Sequence, residues 1–493
     1  MPKSRPPRPR LAGPAWAAIV ARGVAVALAA TLATPCVSSA QVDDPDVRFV
    51  EAMRGRGYFE LTLEYLDRAA SDPAVGPALR ARVAYERAVT QLAQAASLAD
   101  SSSRDRQIDA ARKTFAEFLA GTQDKALAAE GAARLAAAIA EQGRRGLLQA
   151  DKRQAATQKS ARNRLLQTAR QDYDDARRLY GDSTDRYRAV LKELGAPTPR
   201  SPEATRRRML RGQLGSAAVM GARSLHDKAK TYAAGSKNHK RLNAAAAEEL
   251  AAHADEFYDL IIGLYAGLYE GWCYQARGEH KLALGCFEEL IDDRADDPAQ
   301  REVTTLAYVY LAASHTAEGQ PKKALDTAGV WLRGLRAGEM PRAAAALKYQ
   351  VGAATLALAQ AEKNADARRL LNRAQELLRE AGRVPGEFQA DARRQLAVVN
   401  QALGADDEAI TTFADAYLIG RDKLGALSVA AMQTGAGGDA DQQRAGLRAD
   451  ARRAFQAALR LVDGDVEPKR LNEARYWLGY IYWLDDQPLR AAA

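Results

Sequence analysis

A repeated pattern of alanine and apolar residues constrains the fold of this 493-residue chain more than any other feature. An alanine is followed by an apolar residue four positions later and by a small or apolar residue three positions after that. The pattern occurs five times at steps of 41 to 43 residues, beginning at Ala283, Ala324, Ala367, Ala409 and Ala451. Steps of four and three place all three side chains on one side of an α-helix. The repeat therefore predicts tandem helices that pack through a common stripe.

The composition favours the all-α class. Aromatic residues make up 6% of the chain, while alanine and arginine, which both favour helices, are abundant. No proline stands between Pro77 and Pro197 or between Pro202 and Pro298, so long helices can run there without interruption.

A glycine usually stands five residues before the leading alanine. The residues at this position are Gly278, Gly319, Glu362, Gly404 and Gly446. Because glycine is common just past the end of a helix, the pattern predicts a helix that ends there, a turn and then the striped helix. Each repeat is thus predicted to be a helical hairpin.

These hairpins resemble the tetratricopeptide repeat (TPR) family. In the best repeat the resemblance lies in Gly271, Tyr274, Gly278, Ala283 and Phe287, which stand at the spacing of that family. Leu478, Gly479 and Tyr482 match it again near the end of the sequence. The resemblance implies a right-handed α-solenoid of TPR-like hairpins. The residues expected to pack the repeats are Gly271, Tyr274, Gly278, Ala283, Phe287, Gly319, Ala324, Gly404, Ala409, Phe413, Gly479 and Tyr482.

The match departs from the family in two ways. Glu270 stands where the family has leucine, and Arg475 stands where it has tryptophan. The repeat is also longer than the usual length of about 34 residues, and HEAT or armadillo units have a length near 42. A HEAT or armadillo architecture therefore stays open as the alternative.

The rest of the chain divides by its pattern. Weaker copies of the repeat occupy residues 41–145, and the period is lost over the charged, helical stretch 146–258. There Ser201 and Pro202 predict a helix start, and Gly235 with Ser236 predicts a break. We expect long helices inserted over 146–258, able to pair as a coiled-coil arm, and C-terminal repeats over 259–493. Ala491 would open the second helix of a last, incomplete repeat, which indicates a truncated sequence or an unusual end.

Residues 1–40 predict a secretory signal peptide. Five basic residues and no acidic residue precede or flank the apolar run Gly23–Ala33, and the small residues Ser38, Ser39 and Ala40 follow. A retained anchor and a lipoprotein signal at Cys36 are the alternatives. We therefore expect a periplasmic or secreted protein with no membrane span after cleavage.

The charge leaves two interpretations for one segment. The formal net charge of +9 falls to +4 without the five basic residues of the leader. Residues 148–212 remain basic and include Arg206, Arg207 and Arg208. They form either a solvated helix face or a contact with an anionic envelope surface. We do not expect a nucleic-acid partner.

Signatures of catalysis are nearly absent from the sequence. The five histidines are scattered, and no phosphate-binding loop or nucleophile elbow occurs. Asp292, Asp293, Asp296 and Asp297 lack the alternation of a calcium loop. We expect no enzyme activity, cofactor or metal. Cys273 and Cys286 lie on the two helices of one predicted hairpin, and either a disulfide bond or two packed thiols is compatible with that placement.

The resemblance also implies a binding surface. In the TPR family the first helices of successive hairpins line a concave groove that receives peptides. The residues expected to face it are Tyr265, Leu268, Trp272, Gln275, Val309, Ala313 and Thr316. They are mostly apolar, which favours apolar or extended segments. The alternative is that this stripe packs against an inserted helix.

These observations predict a non-catalytic scaffold of the cell envelope or periplasm that binds a protein or peptide partner in the groove. Two other functions stay open. One is a structural envelope protein that contacts anionic polymers through the basic helical face. The other is the regulatory part of a longer enzyme that is truncated at the C-terminus.

Overall fold

The computed structural model describes residues 44–98, 101–151, 158–291, 298–336, 339–362, 365–384, 388–403, 413–432, 438–462, 466 and 468–485. The predicted signal peptide and the acidic residues 292–297 lie outside these ranges. The chain forms two compact units, Met1–Gly319 and Gln320–Ala493. In the described residues both units contain α-helices and no strands. No helix among them is long and apolar enough to cross a membrane.

The first unit begins with four helices and continues with longer ones. Its helices are α1 (Pro45–Gly55), α2 (Phe59–Ala69), α3 (Pro77–Arg80), α4 (Val83–Ser97), α5 (Ser101–Gly121), α6 (Lys125–Asp151), α7 (Lys159–Leu194), α8 (Pro202–Ala229), α9 (Lys237–Glu256), α10 (Ile261–Ala276), α11 (His280–Ile291) and α12 (Pro298–Ala317).

The second unit has seven helices in its described residues. They are α13 (Pro321–Gly334), α14 (Pro341–Ala361), α15 (Ala365–Arg383), α16 (Gln389–Leu403), α17 (Phe413–Met432), α18 (Gly438–Arg460) and α19 (Pro468–Leu484).

Helices in each unit pack in the order of the chain. From α4 to α12 every helix contacts the next one, and the even-numbered helices α4, α6, α8, α10 and α12 also contact each other in sequence. One row of first helices therefore lies side by side in the first unit, as stacked hairpins require. The predicted fold class, all-α with TPR-like helical hairpins and inserted long helices, is confirmed.

The helix ends follow from local sequence. The Ser201 hydroxyl accepts a hydrogen bond from the backbone N–H of Ala204 at the start of α8, and the Ser236 hydroxyl accepts one from His239 at the start of α9. Gly278 and Gly319 have φ values of +79° and +72°, which favour glycine and end α10 and α12. These starts and ends are where the sequence placed them.

The striped residues form the cores of both units. Buried members of the repeated stripe are Ala283, Phe287, Leu290, Ala324, Ala328, Ala374, Phe413, Ala416, Ala451, Phe455 and Ala458. Gly271 allows close approach in the best hairpin, because a Cβ atom there would meet the ring of buried Phe287. Tyr274 follows on the same helix, and its ring lies under the Arg277 guanidinium at 5.9 Å.

One predicted turn is wrong. Gly446 lies inside α18, which runs unbroken from Gly438 to Arg460. Helix α18 pairs with α17 over this length, and Gly420 of α17 receives the ring of Phe455 of α18. Gly404 and Ala409 lie outside the described residues. On α19 the Tyr482 hydroxyl accepts a hydrogen bond of 2.6 Å from Gln456 of α18, and Gly479 is half-buried.

The long helices of residues 146–258 are built into the stack of the first unit. Tyr180 of α7 and Ala217 of α8 belong to the same core cluster as Tyr85 and Phe115 from α4 and α5. The Arg177 guanidinium of α7 makes two hydrogen bonds of 2.8 and 3.0 Å with Glu249 of α9. The segment predicted as a possible coiled-coil arm thus contributes to the packed interior.

A half-buried carboxyl group on α7, that of Asp172, predicts a pH dependence of stability. Burial raises the pKa of Asp172 to about 6. The Arg112 guanidinium lowers this pKa, and the carboxylates of Asp175, Asp105 and Asp109 raise it. In the unfolded chain an aspartate has a pKa of about 3.9. The folded protein therefore binds this proton more tightly, and the stabilisation from the protonated form is lost as the pH rises from about 4 to 6.

Asp172→Asn should remove this cost of ionisation. We expect the free energy of unfolding at pH 7.5 to rise by about 1–2 kcal/mol, after allowance for solvent screening, and its change between pH 4 and 6 to flatten. Urea unfolding at several pH values measures both effects. Asp185→Asn, at an exposed position of the same helix, is the control and should change stability by less than about 0.5 kcal/mol. Equal pH profiles for wild type and Asp172→Asn would contradict the prediction.

Candidate functional site

The candidate site lies on the row of first helices at α8, α10 and α12. Helix α10 is central, since it contacts α8, α9, α11 and α12. Its sequence is almost entirely apolar, and the residues from Ile261 to Cys273 are nearly all buried. A helix that is apolar on every side is stable only when other helices surround it. Helix α10 therefore holds its aromatic side chains in fixed positions between its neighbours.

A continuous series of aromatic rings crosses this site. The ring centroid of Trp272 lies 4.7 Å from that of Tyr269 on the same helix and 4.7 Å from that of Tyr310 on α12. Tyr310 in turn lies 6.0 Å from Phe287. Tilted rings at these distances attract one another beyond the effect of burial. The series ties α10, α11 and α12 together.

An arginine from α8 stacks on this aromatic series. The guanidinium carbon of Arg223 lies 4.7 Å from the Tyr269 ring centroid and 5.7 Å from that of Trp272. Arg223 also donates a hydrogen bond of 3.0 Å to the Tyr269 hydroxyl. Its side chain is half-buried, with 19% of its surface exposed. This geometry combines a cation–π contact with a fixed hydrogen bond.

Asp227 completes the charged part of the site. It lies one turn after Arg223 on α8, and its carboxylate is 3.5 Å from the Arg223 Nε and 2.9 Å from the Lys230 Nζ. Burial alone would raise the pKa of Asp227, but Lys230 and Arg223 outweigh it and hold the pKa well below the usual range. Asp227 is therefore ionised at neutral pH, and the group of three side chains carries one net positive charge.

A neutral polar pair lies behind the charged group. The His226 Nδ1 is 2.7 Å from the Asn243 Oδ1, and the Asn243 amide donates to the backbone oxygen of His239 at 3.0 Å. Burial lowers the pKa of His226 to about 3, so its imidazole is uncharged at neutral pH. Its ring lies 6.3 Å from that of Trp272. The pair fixes α8 against α9 and supports the position of Trp272.

The structure divides the predicted groove residues into two groups. Tyr265, Leu268, Trp272 and Val309 are buried, with exposed fractions of 1%, 0%, 9% and 0%. The side chains of the other group, Gln275, Ala313 and Thr316, are half-buried.

Helix α8 contributes to the burial of Trp272. It places Arg223 and His226 against Trp272, and a Cβ atom at Gly215 of α8 would meet Ile262 of α10. An open groove floor at the four buried positions is therefore not what the structure has. Packing against the inserted helix α8, the alternative interpretation, describes Trp272.

The half-buried group forms a polar surface between α10 and α12. The Gln275 amide donates to the Ser314 hydroxyl at 3.1 Å and to the backbone oxygen of Tyr310 at 3.3 Å. Thr316 lies further along α12, and its hydroxyl donates to the backbone oxygen of Ala312. Gln275, Ala313 and Thr316 are the partly accessible members of the predicted groove.

The predicted cysteine pair lies next to the site. Cys273 is buried on α10, Cys286 is half-buried on α11, and their sulfur atoms are not bonded to each other. Burial raises the pKa of the Cys273 thiol above its ordinary value. Two separate thiols, the second of the two interpretations, therefore describe this hairpin.

Sequence reasoning missed Arg223, Asp227, Tyr269 and Tyr310. Arg223 and Asp227 stand four residues apart on α8, a spacing that places them on one face but is common on any charged helix. The stronger signal was Tyr265, Tyr269 and Trp272, at steps of four and three. In the described residues no group of three or more His, Cys, Asp or Glu side chains is arranged to hold a metal ion.

No protein-family profile and no curated protein matches this sequence. Among solved structures, the chain is similar to the human IFIT1 dimer with PPP-AAAA, at 15% sequence identity and a TM-score of 0.27, covering 87% of this chain and 92% of that chain. It is also similar to a monomeric mutant of IFIT1 with Gppp-AAAA, at 13% identity and a TM-score of 0.28, covering 84% and 88%. At these values the assignment of the fold rests on the helix packing described above.

Proposed function

We propose that this chain is an exported, non-catalytic scaffold that binds a segment of a partner protein on the surface formed by Arg223, Gln275 and Thr316. The observation that carries the proposal is the half-buried Arg223 side chain, which is 19% exposed as a whole and whose guanidinium is held over Tyr269 and Trp272. A cation fixed in this way loses little conformational entropy when it meets an anionic group. The partner segment therefore carries an acidic residue.

Two further features support a bound segment at this place. The indole N–H of Trp272 has no acceptor among the described residues, although Trp272 is buried, with 9% of its surface exposed. A carboxylate oxygen near Arg223 would provide an acceptor for it after a small shift of the ring. The Gln275 amide and the Thr316 hydroxyl offer polar contacts to an extended backbone.

The alternative function, a structural envelope protein that contacts anionic polymers through the basic face of α8, has less support. Arg207 donates to the backbone oxygens of Leu191 and Gly195 at the end of α7. Arg211 pairs with Asp259 at 2.5 Å and donates to the backbone oxygen of Glu256. These guanidinium groups already join helix ends within the first unit. Arg206 and Arg208 are the exposed cations that this alternative would use.

Site-specific photo-crosslinking tests the proposal. A benzophenone side chain at Thr316 should give a defined protein adduct in envelope extract, and the same group at exposed Gln123 should not. Thr316→Glu should lower retention of that protein about tenfold, because a carboxylate on this surface repels the acidic residue of the partner segment. Arg206→Glu with Arg208→Glu should leave retention unchanged.

Two outcomes contradict the proposal. Equal adducts at Thr316 and Gln123 would mean that the surface has no preference for a partner. Loss of retention with Arg206→Glu and Arg208→Glu, but not with Thr316→Glu, would favour the anionic-polymer function instead.

A further inference from the structure

A small cleft lies beside the first turns of α8, where the connection from α7 meets the connection between α9 and α10. Its volume is about 280 Å³. The residues that line it are Pro197, Ala204, Arg207, Arg208, Arg211, Asp259 and Leu260. Three of them are arginines and one is an aspartate, so the lining carries a net charge of +2. The cleft thus gathers more positive charge than its own carboxylate neutralises.

Two of these arginines are held in place by backbone oxygen atoms. Arg207 donates to the carbonyl oxygen of Leu191 at 2.8 Å, and its bonds to the end of α7 use Nη1. Arg211 donates through Nη2 to the carbonyl oxygen of Glu256 at 3.1 Å and pairs through Nη1 with Asp259. A guanidinium has five N–H donors in a rigid plane. Both groups are therefore fixed in position and still have N–H donors for a ligand.

Two acidic side chains near the cleft are engaged elsewhere. Glu203 is exposed on the first turn of α8, where its carboxylate accepts hydrogen bonds from its own backbone N–H and from Ser201. The Glu256 carboxylate lies 3.6 Å from Arg188 and 3.5 Å from the Nδ1 of His253. Neither of these carboxylates lines the cleft, so the positive charge of the lining remains in excess.

Asp259 also gives the cleft a hydrogen-bond acceptor. Its Oδ2 pairs with Arg211, whereas its Oδ1 is buried and receives no hydrogen bond from the described residues. A buried acceptor without a donor is costly. A small rotation of the carboxylate would turn Oδ1 towards the cleft, where a hydroxyl group of a ligand can supply the donor. The cleft therefore fits a ligand that combines an anionic group with a hydroxyl.

We propose that this cleft binds the phosphate group of a small phosphomonoester, or inorganic phosphate itself. Arginine pairs with phosphate oxygens through two parallel hydrogen bonds. A phosphomonoester carries a charge of about −1.5 to −2 at pH 7, which matches the lining, whereas a carboxylate or a phosphodiester carries a single negative charge. The volume of about 280 Å³ is just below the range of about 300–1,000 Å³ for larger ligands, and it favours a small molecule.

The cleft is separate from the surface proposed to bind a partner segment. Arg207 and Arg223 stand sixteen positions apart on α8, which is about 24 Å along the helix axis. Phosphate binding at the start of α8 therefore does not require a partner near its end. Either proposal can fail without the other.

Isothermal titration calorimetry of the full chain tests the site, at constant ionic strength and about pH 7.5, where a phosphomonoester is mainly dianionic. We expect inorganic phosphate and glycerol phosphate to bind with dissociation constants between about 10 μM and 1 mM. Sulfate has two charges but no hydroxyl, and dimethyl phosphate has one charge. Both should bind at least about tenfold more weakly than inorganic phosphate.

Two arginines of the same helix turn provide a matched pair of variants. Arg206 and Arg208 are both exposed, and of the two Arg208 lines the cleft. Arg208→Gln should weaken phosphate binding about tenfold, whereas Arg206→Gln removes the same charge and should change it less than about twofold. Ala204→Glu places a carboxylate at the wall of the cleft and should abolish binding. Asp259→Asn should remove the preference for phosphate over sulfate, because an amide can donate to either anion.

Three results would overturn the proposal. The first is a wild-type chain that does not bind phosphate at concentrations up to about 10 mM. The second is an equal loss of binding in Arg206→Gln and Arg208→Gln, since this would indicate a diffuse positive surface and not a cleft. The third is dimethyl phosphate that binds as tightly as inorganic phosphate, which would indicate contact with phosphodiester polymers instead. Far-UV circular dichroism of each variant should match that of the wild type.

Discussion

Gly271→Ala should lower the free energy of unfolding of the first unit by about 3 kcal/mol, at the upper end of the cost of overfilling a core. A Cβ atom at this position would lie no farther than 3.0 Å from three ring carbons of Phe287, whereas carbon atoms in contact stand about 3.5–4.0 Å apart. The Phe287 ring is fully buried and lies between α10 and Tyr310, so it has no space to retreat. The helices would have to separate.

Gly285→Ala is the matched control for this substitution. Gly285 lies on α11 of the same hairpin, and nothing stands within 4 Å of a Cβ atom added there. Since alanine is the better helix former, this variant should gain about 0.5–1 kcal/mol. Thermal unfolding followed by circular dichroism and by tryptophan fluorescence compares the two variants.

Adding Phe287→Leu to Gly271→Ala should recover part of the loss, because the smaller side chain frees the space that the new methyl group needs. If Gly271→Ala melts at the same temperature as Gly285→Ala, the close contact of α10 with Phe287 is not what holds this hairpin together.

The sequence predicted the Gly271 contact but missed its counterpart in the second unit. Gly271 and Phe287 stand sixteen positions apart, at the spacing of the TPR family, so the resemblance marked both. A Cβ atom at Gly420 would meet three ring carbons of Phe455 within 2.9 Å, yet these residues stand 35 positions apart on two long helices, far from the spacing of sixteen. Periodicity detects a packing pair only when the lengths of the helices between them are regular.

The burial of the predicted groove illustrates a second limit. The pattern placed Tyr265, Leu268 and Trp272 on one face of α10, and this face is real. Whether a face is open or covered depends on a helix that lies far away in sequence. Helix α8 packs on α10 at Trp272, and nothing in the local pattern of α10 indicates that contact. Helix type and most helix ends were therefore predictable, whereas the surface that remains accessible was not.

Arg223→Met should lower the free energy of unfolding by about 3 kcal/mol. Methionine replaces the unbranched stem of arginine but has no guanidinium. The variant therefore loses the hydrogen bond to the Tyr269 hydroxyl and the stacking on Trp272. It also leaves the buried carboxylate of Asp227 with Lys230 alone. Removing one member of a buried ion pair typically costs about 3–5 kcal/mol, and the remaining lysine reduces that cost.

An exposed arginine of the same unit provides the control. Arg188 pairs with Glu256 at 3.6 Å, and the two side chains are 50% and 42% exposed. Because exposed ion pairs contribute about 0–1 kcal/mol, Arg188→Met should melt close to the wild type. A difference between the two variants therefore reports the buried environment of Arg223 and not the loss of a positive charge.

A double-mutant cycle separates the ion pair from the aromatic contact. If the charge left on Asp227 causes most of the loss, Asp227→Asn combined with Arg223→Met should be more stable than Arg223→Met alone, with a coupling of about 1–2 kcal/mol. If stacking on Tyr269 and Trp272 dominates, the two losses should add, and Arg223→Lys should be nearly as unstable as Arg223→Met because an ammonium group cannot reproduce the planar contact. Wild-type stability of Arg223→Met would contradict both, since the arginine would then stabilise neither α8 nor α10.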